Sequence, residues 1–370
     1  MAKTPHVESV ASVLPLRRYG GRYLEFKSQL QCRVVVTRRW REKYIQRCFM
    51  LSFYRFLAQI TLMAAAVIMA LAAVTTNAAT LPGVLKFSQW PLNGVTINGA
   101  AYFGHDALSS ATLNANDVYV GTGAADDFSD YYNTPVIGVQ WWGSYIPAPA
   151  AGVPPITPVP DFLLSFESDI PASPTGAFSH PGSVLLAQTV TRNTGGPLAP
   201  GQFTEAAVGP TNNLFVYQAL LQNPFPEAAG TVYWLKIAGL FPSGTSEQWG
   251  WHNRDYTIPD PLANPGETNI NAGGTFPVWH YGDDAVQGFL NYIPPSTTHG
   301  GSVDEGDFVP LTYNPSNTTT DGPAIVTGLS EDLAFQLYTT PEPAPLALLA
   351  IAGAALLLVR RRNIRNTKHQ

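Results

Sequence analysis

Four tryptophans stand in two short strings, Trp141-Trp142 and Trp249-Gly250-Trp251. A tryptophan on a strand either packs in a core or offers its ring to an apolar ligand surface such as the C–H face of a sugar. At spacing i, i+2 on a strand, Trp249 and Trp251 share a face, whereas Trp141 and Trp142 point to opposite faces. Core packing is the ordinary fate of such rings; against it, Trp142 and Trp251 are the candidates for ligand-facing aromatics. The adjacent carboxylates Asp126-Asp127 and Asp283-Asp284 flank strand-like segments and form the candidate metal site. One carboxylate of each pair could hold Ca²⁺, a hard cation that takes roughly six to eight oxygens. Solvated acids in Asx-turns are the simpler alternative. A third acidic run, Asp304-Glu305-Gly306-Asp307, is expected as a loop and lacks the spacing of an EF-hand.

Catalytic patterns are missing from the same sequence. His105, His180, His252, His280 and His299 show no HExxH or related zinc spacing. Ser144, in Trp142-Gly143-Ser144-Tyr145, lacks the G-x-S-x-G nucleophile elbow. A carboxylate pair for glycoside hydrolysis could be drawn from any two acids, so none is singled out. No catalytic residue is assigned, and calcium is the one candidate cofactor.

The elements that must position these residues are strands. Gly and Pro are frequent, and no stretch keeps a helical period over three turns. Segments 135–146, 161–167, 183–191, 213–220, 231–238 and 332–339 are short, apolar or alternating, and bounded by turn residues. Phe162, Leu164 and Phe166 share one face, as do Leu333, Phe335 and Leu337; the run 231–237 is apolar on both faces apart from Lys236 and predicts a central strand. Pro-rich stretches at 147–160, 259–265 and 294–295 predict loops. Strands at this spacing without intervening helices predict an all-β fold: a two-sheet antiparallel sandwich or jelly roll.

Charge divides the chain into regions. Residues 1–55 carry 12 Lys/Arg and three acids, whereas residues 80–340 carry four Lys/Arg against 22 Asp/Glu. Nucleic-acid binding needs clustered cations, so the acidic body argues against it. Cys32 and Cys48 both lie in the basic head, so the body can form no disulfide and no thiolate metal site. Residues 80–340 are long enough to bury a core without such staples.

The ends carry targeting signals. Arg55 precedes an apolar run, 56–74, followed by Thr75-Thr76-Asn77-Ala78-Ala79; this order predicts a signal peptide, 50–79, with a peptidase site near Ala79. The basic 1–49 extension reads either as an unusually long n-region or as sequence ahead of the true start, and Met50 is the favoured start. At the other end Pro341-Glu342-Pro343 leads into an Ala/Leu/Ile/Gly run, 344–359, then Arg360-Arg361-Arg362 and a tail, 363–370. The apolar run predicts a transmembrane helix, and the arginines belong on the cytoplasmic side by the positive-inside rule.

Pro341-Glu342-Pro343, the short apolar helix and Arg360, Arg361 and Arg362, in that order, resemble the PEP-CTERM sorting signal, here 341–362. The resemblance implies processing by an exosortase, a membrane cysteine transpeptidase, after signal peptidase has acted. It also implies a place at the cell surface or outside the cell, in a bacterium that makes exopolysaccharide or biofilm matrix. Within the body, 125–128, 139–145, 164–172 with 180–182, 230–235, 249–251, 282–286 and 332–337 together resemble an extracellular β-sandwich domain family of planctomycete and PEP-CTERM proteins. That resemblance implies the fold and no activity. The expected function is a non-catalytic exported surface or matrix protein contacting polysaccharide; the alternative is an extracellular carbohydrate-active enzyme or lectin-like module.

Overall fold

The computed structural model describes residues 81–148, 155, 157–173, 178–209, 213–260, 262, 267–271, 274, 277–295, 301–313, 326 and 328–341. All belong to the second of two compact units, 77–370. The basic extension, the signal peptide and the sorting signal beyond Pro341 lie outside the described residues. Among those described, no helix is long and apolar enough to cross a membrane.

The described chain is all-β. Its strands are β1 (Val84–Gln89), β2 (Val95–Ile97), β3 (Ala100–Tyr102), β4 (Asp106–Leu108), β5 (Ser110–Leu113), β6 (Tyr119–Phe128), β7 (Val136–Ile146), β8 (Asp161–Ile170) and β9 (His180–Arg192). They continue with β10 (Gln202–Ala207), β11 (Leu214–Phe225), β12 (Tyr233–Phe241), β13 (Gln248–His252), β14 (Glu267–Asn269), β15 (Trp279–Tyr281), β16 (Val286–Ile293), β17 (Ser302–Pro310) and β18 (Phe335–Thr339).

Two separate hydrogen-bonded sheets were the expectation; the structure has one network of 14 strands. Its path runs β1-β18-β7-β11-β10-β9-β8-β12-β5-β6-β16-β17, with β13 joined to β7 and β4 to β13. Small ribbons β2-β3 and β14-β15 stand apart. Most pairings are antiparallel, but β10 meets β9, and β5 meets β12, in parallel. The network bends over its own core, which makes the fold sandwich-like without breaking the ladder. Trp141 on β7 meets Phe162 on β8 edge-on, ring centroids 5.1 Å apart, although three strands intervene along the path. Phe87 of β1 and Phe335 of β18 likewise meet Phe128 of β6.

Strand β12 shows how the sequence selects this arrangement. Leu235, Ile237 and Phe241 face the main core, and Trp234, Ala238 and Leu240 enter smaller clusters on the opposite face. Both faces are covered, as the two-sided apolar run predicts. Strand β8 repeats the pattern, with Phe162, Leu164 and Phe166 in the main core and Leu163 on the other side. Leu333, Phe335 and Leu337 also share the main core. The run 304–307, expected as a loop, is instead inside β17.

Candidate functional site

The tryptophans expected to face a ligand are buried. Trp251 is fully enclosed, and its indole N–H donates to the Ala334 carbonyl at 2.9 Å. Trp142 is 4% exposed, because Trp90, itself 52% exposed, lies over it with ring centroids 5.7 Å apart. The alternation on β7 is as expected, but both faces of this strand are covered, so pointing away from the main core does not mean pointing into water. Trp141 stacks on Tyr217 at 5.5 Å, and Trp249 sits edge-on to Phe162 at 4.9 Å. Trp249 also packs against Gly143, where any Cβ would collide with its ring.

The two acid pairs converge, though not in two turns. Asp126 and Asp127 lie within β6 and are buried, whereas Asp283 and Asp284 occupy the turn between β15 and β16. The Asp283 amide donates to Asp127 Oδ2 at 3.3 Å, the Leu333 amide to Asp126 Oδ2 at 2.7 Å, and the Asp127 amide to Asp126 Oδ1 at 3.0 Å. The carboxylates thus accept from backbone amides of β6, of the turn after β15 and of the segment before β18. Burial, then the negative charge of Asp332, pushes both Asp126 and Asp127 well above the usual carboxylate range. Among the described residues no group of three His, Cys, Asp or Glu side chains is placed to hold a metal ion.

Asp332, Arg254 and His280 complete this cluster; Asp332 opens the segment 332–339 and His280 stands among the histidines without zinc spacing, but none of the three was assigned a site role from the sequence. Arg254 donates to Asp332 at 3.2 Å, to both oxygens of Glu267 at 3.0 and 3.3 Å, and to the Ile258 carbonyl at 2.9 Å. His280 Nδ1 contacts Asp332 at 2.5 Å, and the Tyr281 amide donates to Asp332 at 3.0 Å. Burial works against a charged Asp332, but His280 and Arg254 outweigh it and hold the group below its ordinary value. The one available clue was scarcity, since Arg254 is among only four cations in an acidic body.

Two of the other cations are buried lysines, each set between two acids. Lys236 on β12 donates to Glu167 at 3.2 and 3.4 Å, touches Glu305 of β17, and lies 5.4 Å from the Phe308 ring centroid. Lys86 on β1 contacts Asp130 at 3.3 Å, touches Glu227, and donates to the Thr134 carbonyl at 2.5 Å. Burial, opposed by Lys86, pushes the Glu227 carboxyl from 4.5 up to about 8. A raised carboxyl favours the fold fully below its ordinary value and withdraws that support as pH climbs through the raised one. As pH climbs from 5 to 8 the wild type should therefore lose stability, while Glu227→Gln, uncharged throughout, should lose measurably less. Urea midpoints across that range check this, and identical slopes for the two proteins would refute it.

Apart from this cluster, three recesses lie beside β9, next to β17 and the end of β16. The first, about 420 Å³, lies between His180–Ser183 and Glu305–Phe308. The second, about 520 Å³, lies between Val184–Ala187 and Gly301–Val303. The third, about 400 Å³, shares Ala187 and Pro295 with the second and is lined by Tyr119, Asp161, Thr189 and Asn223. Tyr119 stacks on the buried Tyr292 at 6.2 Å, and the Tyr292 hydroxyl shares a 2.7 Å hydrogen bond with Thr189. Burial raises the Tyr119 phenol, which stays a neutral donor at physiological pH. An aromatic ring, a carboxylate, a hydroxyl and amides along an open groove suit an extended polyhydroxylated ligand. Tyr119, Asp161, Thr189 and Asn223 were not singled out in the sequence, because they come from separate strands and only the fold brings them together.

A family profile described as Domain of unknown function (DUF7901) matches residues 85–294. No curated protein and no solved structure matches the chain.

Proposed function

The chain belongs to that family, and from this premise we propose that it is a non-catalytic exported protein of the cell surface or extracellular matrix, processed by signal peptidase and an exosortase and contacting exopolysaccharide. The observation that carries the proposal is the order Pro341-Glu342-Pro343, apolar 344–359, Arg360-Arg361-Arg362, preceded by an apolar signal run at 56–74. The acidic, cysteine-free composition of the body is compatible with a secreted role. The groove along β9 supports the polysaccharide contact, with Tyr119 the accessible ring for a sugar face and Asp161, Thr189 and Asn223 the polar groups beside it.

The test has two arms. In an exosortase-bearing bacterium, a C-terminal epitope should be lost from the wild-type chain and kept when Pro341, Glu342 and Pro343 are all replaced by alanine. Equal retention in both would overturn the sorting role. Purified protein should bind the exopolysaccharide of that bacterium, and Tyr119→Ala should weaken binding at least about tenfold, or 1.4 kcal/mol. Unchanged affinity would remove the groove from the contact.

A further inference from the structure

Lys236 is the one charged group on either face of β12, and it sits where an ammonium ion has little reason to be. Its side chain is enclosed, and its stem passes over Gly123, where a Cβ would come within 3.2 Å of Lys236 Cδ. Around its amine stand Glu167 from the neighbouring strand β8, Glu305 from β17, and the Phe308 ring. Trp234 and Phe178 close the same apolar cluster. Glu305 is the unusual partner. Both of its carboxylate oxygens are shielded from solvent, and neither accepts a hydrogen bond beyond the contact with Lys236 Nζ. An ionised carboxylate so poorly served is costly to bury.

We propose that Lys236 and Glu305 become joined by an intramolecular amide bond, formed in the folded protein with Glu167 as the proton relay. The ion pair first exchanges one proton within itself, leaving a neutral amine and a neutral carboxylic acid. Burial favours this state, and it lowers the Lys236 pKa from the ordinary lysine value against the opposing pull of Glu167. The Nζ lone pair then attacks Glu305 Cδ. Glu167, 3.2 Å from Nζ, accepts the amine proton as the N–C bond forms and delivers it to the departing hydroxyl. The C–O bond breaks, water leaves, and Glu167 returns to its starting state. In balance, one ammonium and one carboxylate give one amide and one water, with no change in oxidation state and no co-reactant. Glu305 also lines the recess of about 420 Å³ beside His180 and Phe308, which gives the released water a route out.

The product would tie central strand β12, across β6 and β16, to β17, the last strand of the network. It would also replace a buried charge pair by a neutral group, in a body that has no cysteine with which to form any other cross-link.

Peptide mapping of the purified full chain tests this without any variant. Chymotryptic digestion followed by mass spectrometry should yield a branched species joining the Lys236 and Glu305 peptides, lighter than their sum by one water. Recovery of both peptides in linear, unmodified form from the folded protein would overturn the proposal. Lys236→Arg and Glu305→Ala should each abolish the branched species. Glu167→Ala, if it folds, should leave Lys236 and Glu305 unlinked, and undiminished branching in that variant would remove Glu167 from the mechanism.

Discussion

Arg254→Ala is expected to cost about 3–5 kcal/mol of unfolding free energy, a large part of what an ordinary domain has to lose. The guanidinium is buried and bonds Asp332, both oxygens of Glu267, and the Ile258 carbonyl. Truncation leaves Asp332 buried with His280 as its remaining cationic partner, in the neighbourhood of the already crowded Asp126 and Asp127. The loss should itself depend on pH. In the wild type the lowered Asp332 pKa supports the fold above the ordinary carboxylate range, and that support is lost as pH falls through the lowered value. Without Arg254 the carboxyl protonates more readily, so at about pH 4 less of the penalty remains than at pH 7. Adding Asp332→Asn to Arg254→Ala should recover part of the stability for the same reason. Denaturant titrations of the three proteins at two pH values decide it. A single variant within about 1 kcal/mol of wild type, or a loss independent of pH, would show that this network does not hold the fold.

That cluster marks the boundary between what was and was not legible in the sequence. β7, β8 and β12 could be read because their apolar residues alternate or run continuously, and period is a local property. β6 could not: Tyr119–Phe128 contains two glycines and two aspartates, and it is buried only because β12, β5 and β16 surround it. Asp126 and Asp127 were recognised as worth attention, yet their surroundings come from Leu333, Asp332 and Asp283, which the chain brings back from far downstream. The groove failed for the same reason, since Tyr119, Asp161 and Thr189 are unremarkable until three strands align them. The Lys236 site was half legible: a lone lysine in an apolar run demands a partner, but nothing local says that Glu305, expected in a loop, would supply it from β17.

Burial of Trp142 and Trp249 makes a second large prediction, and it separates the two rings. Trp249→Ala should cost about 3–5 kcal/mol, because the indole is fully enclosed between Gly143, Phe162 and Tyr217 and the surrounding strands cannot collapse into the space. Trp142→Ala should cost clearly less. Trp142 belongs to a small outer cluster with Leu214 and Ala334, and the half-exposed Trp90 above it is free to settle into part of the cavity. Urea midpoints at constant m-value measure both losses. Equal losses would mean that the outer cluster is as rigid as the core. Weakened polysaccharide binding by Trp142→Ala with unchanged stability would return that residue to the ligand-facing role and move the contact away from the groove along β9. Stability loss without an effect on binding is the expected result, because a ring roofed by Trp90 can reach no ligand unless Trp90 first moves aside.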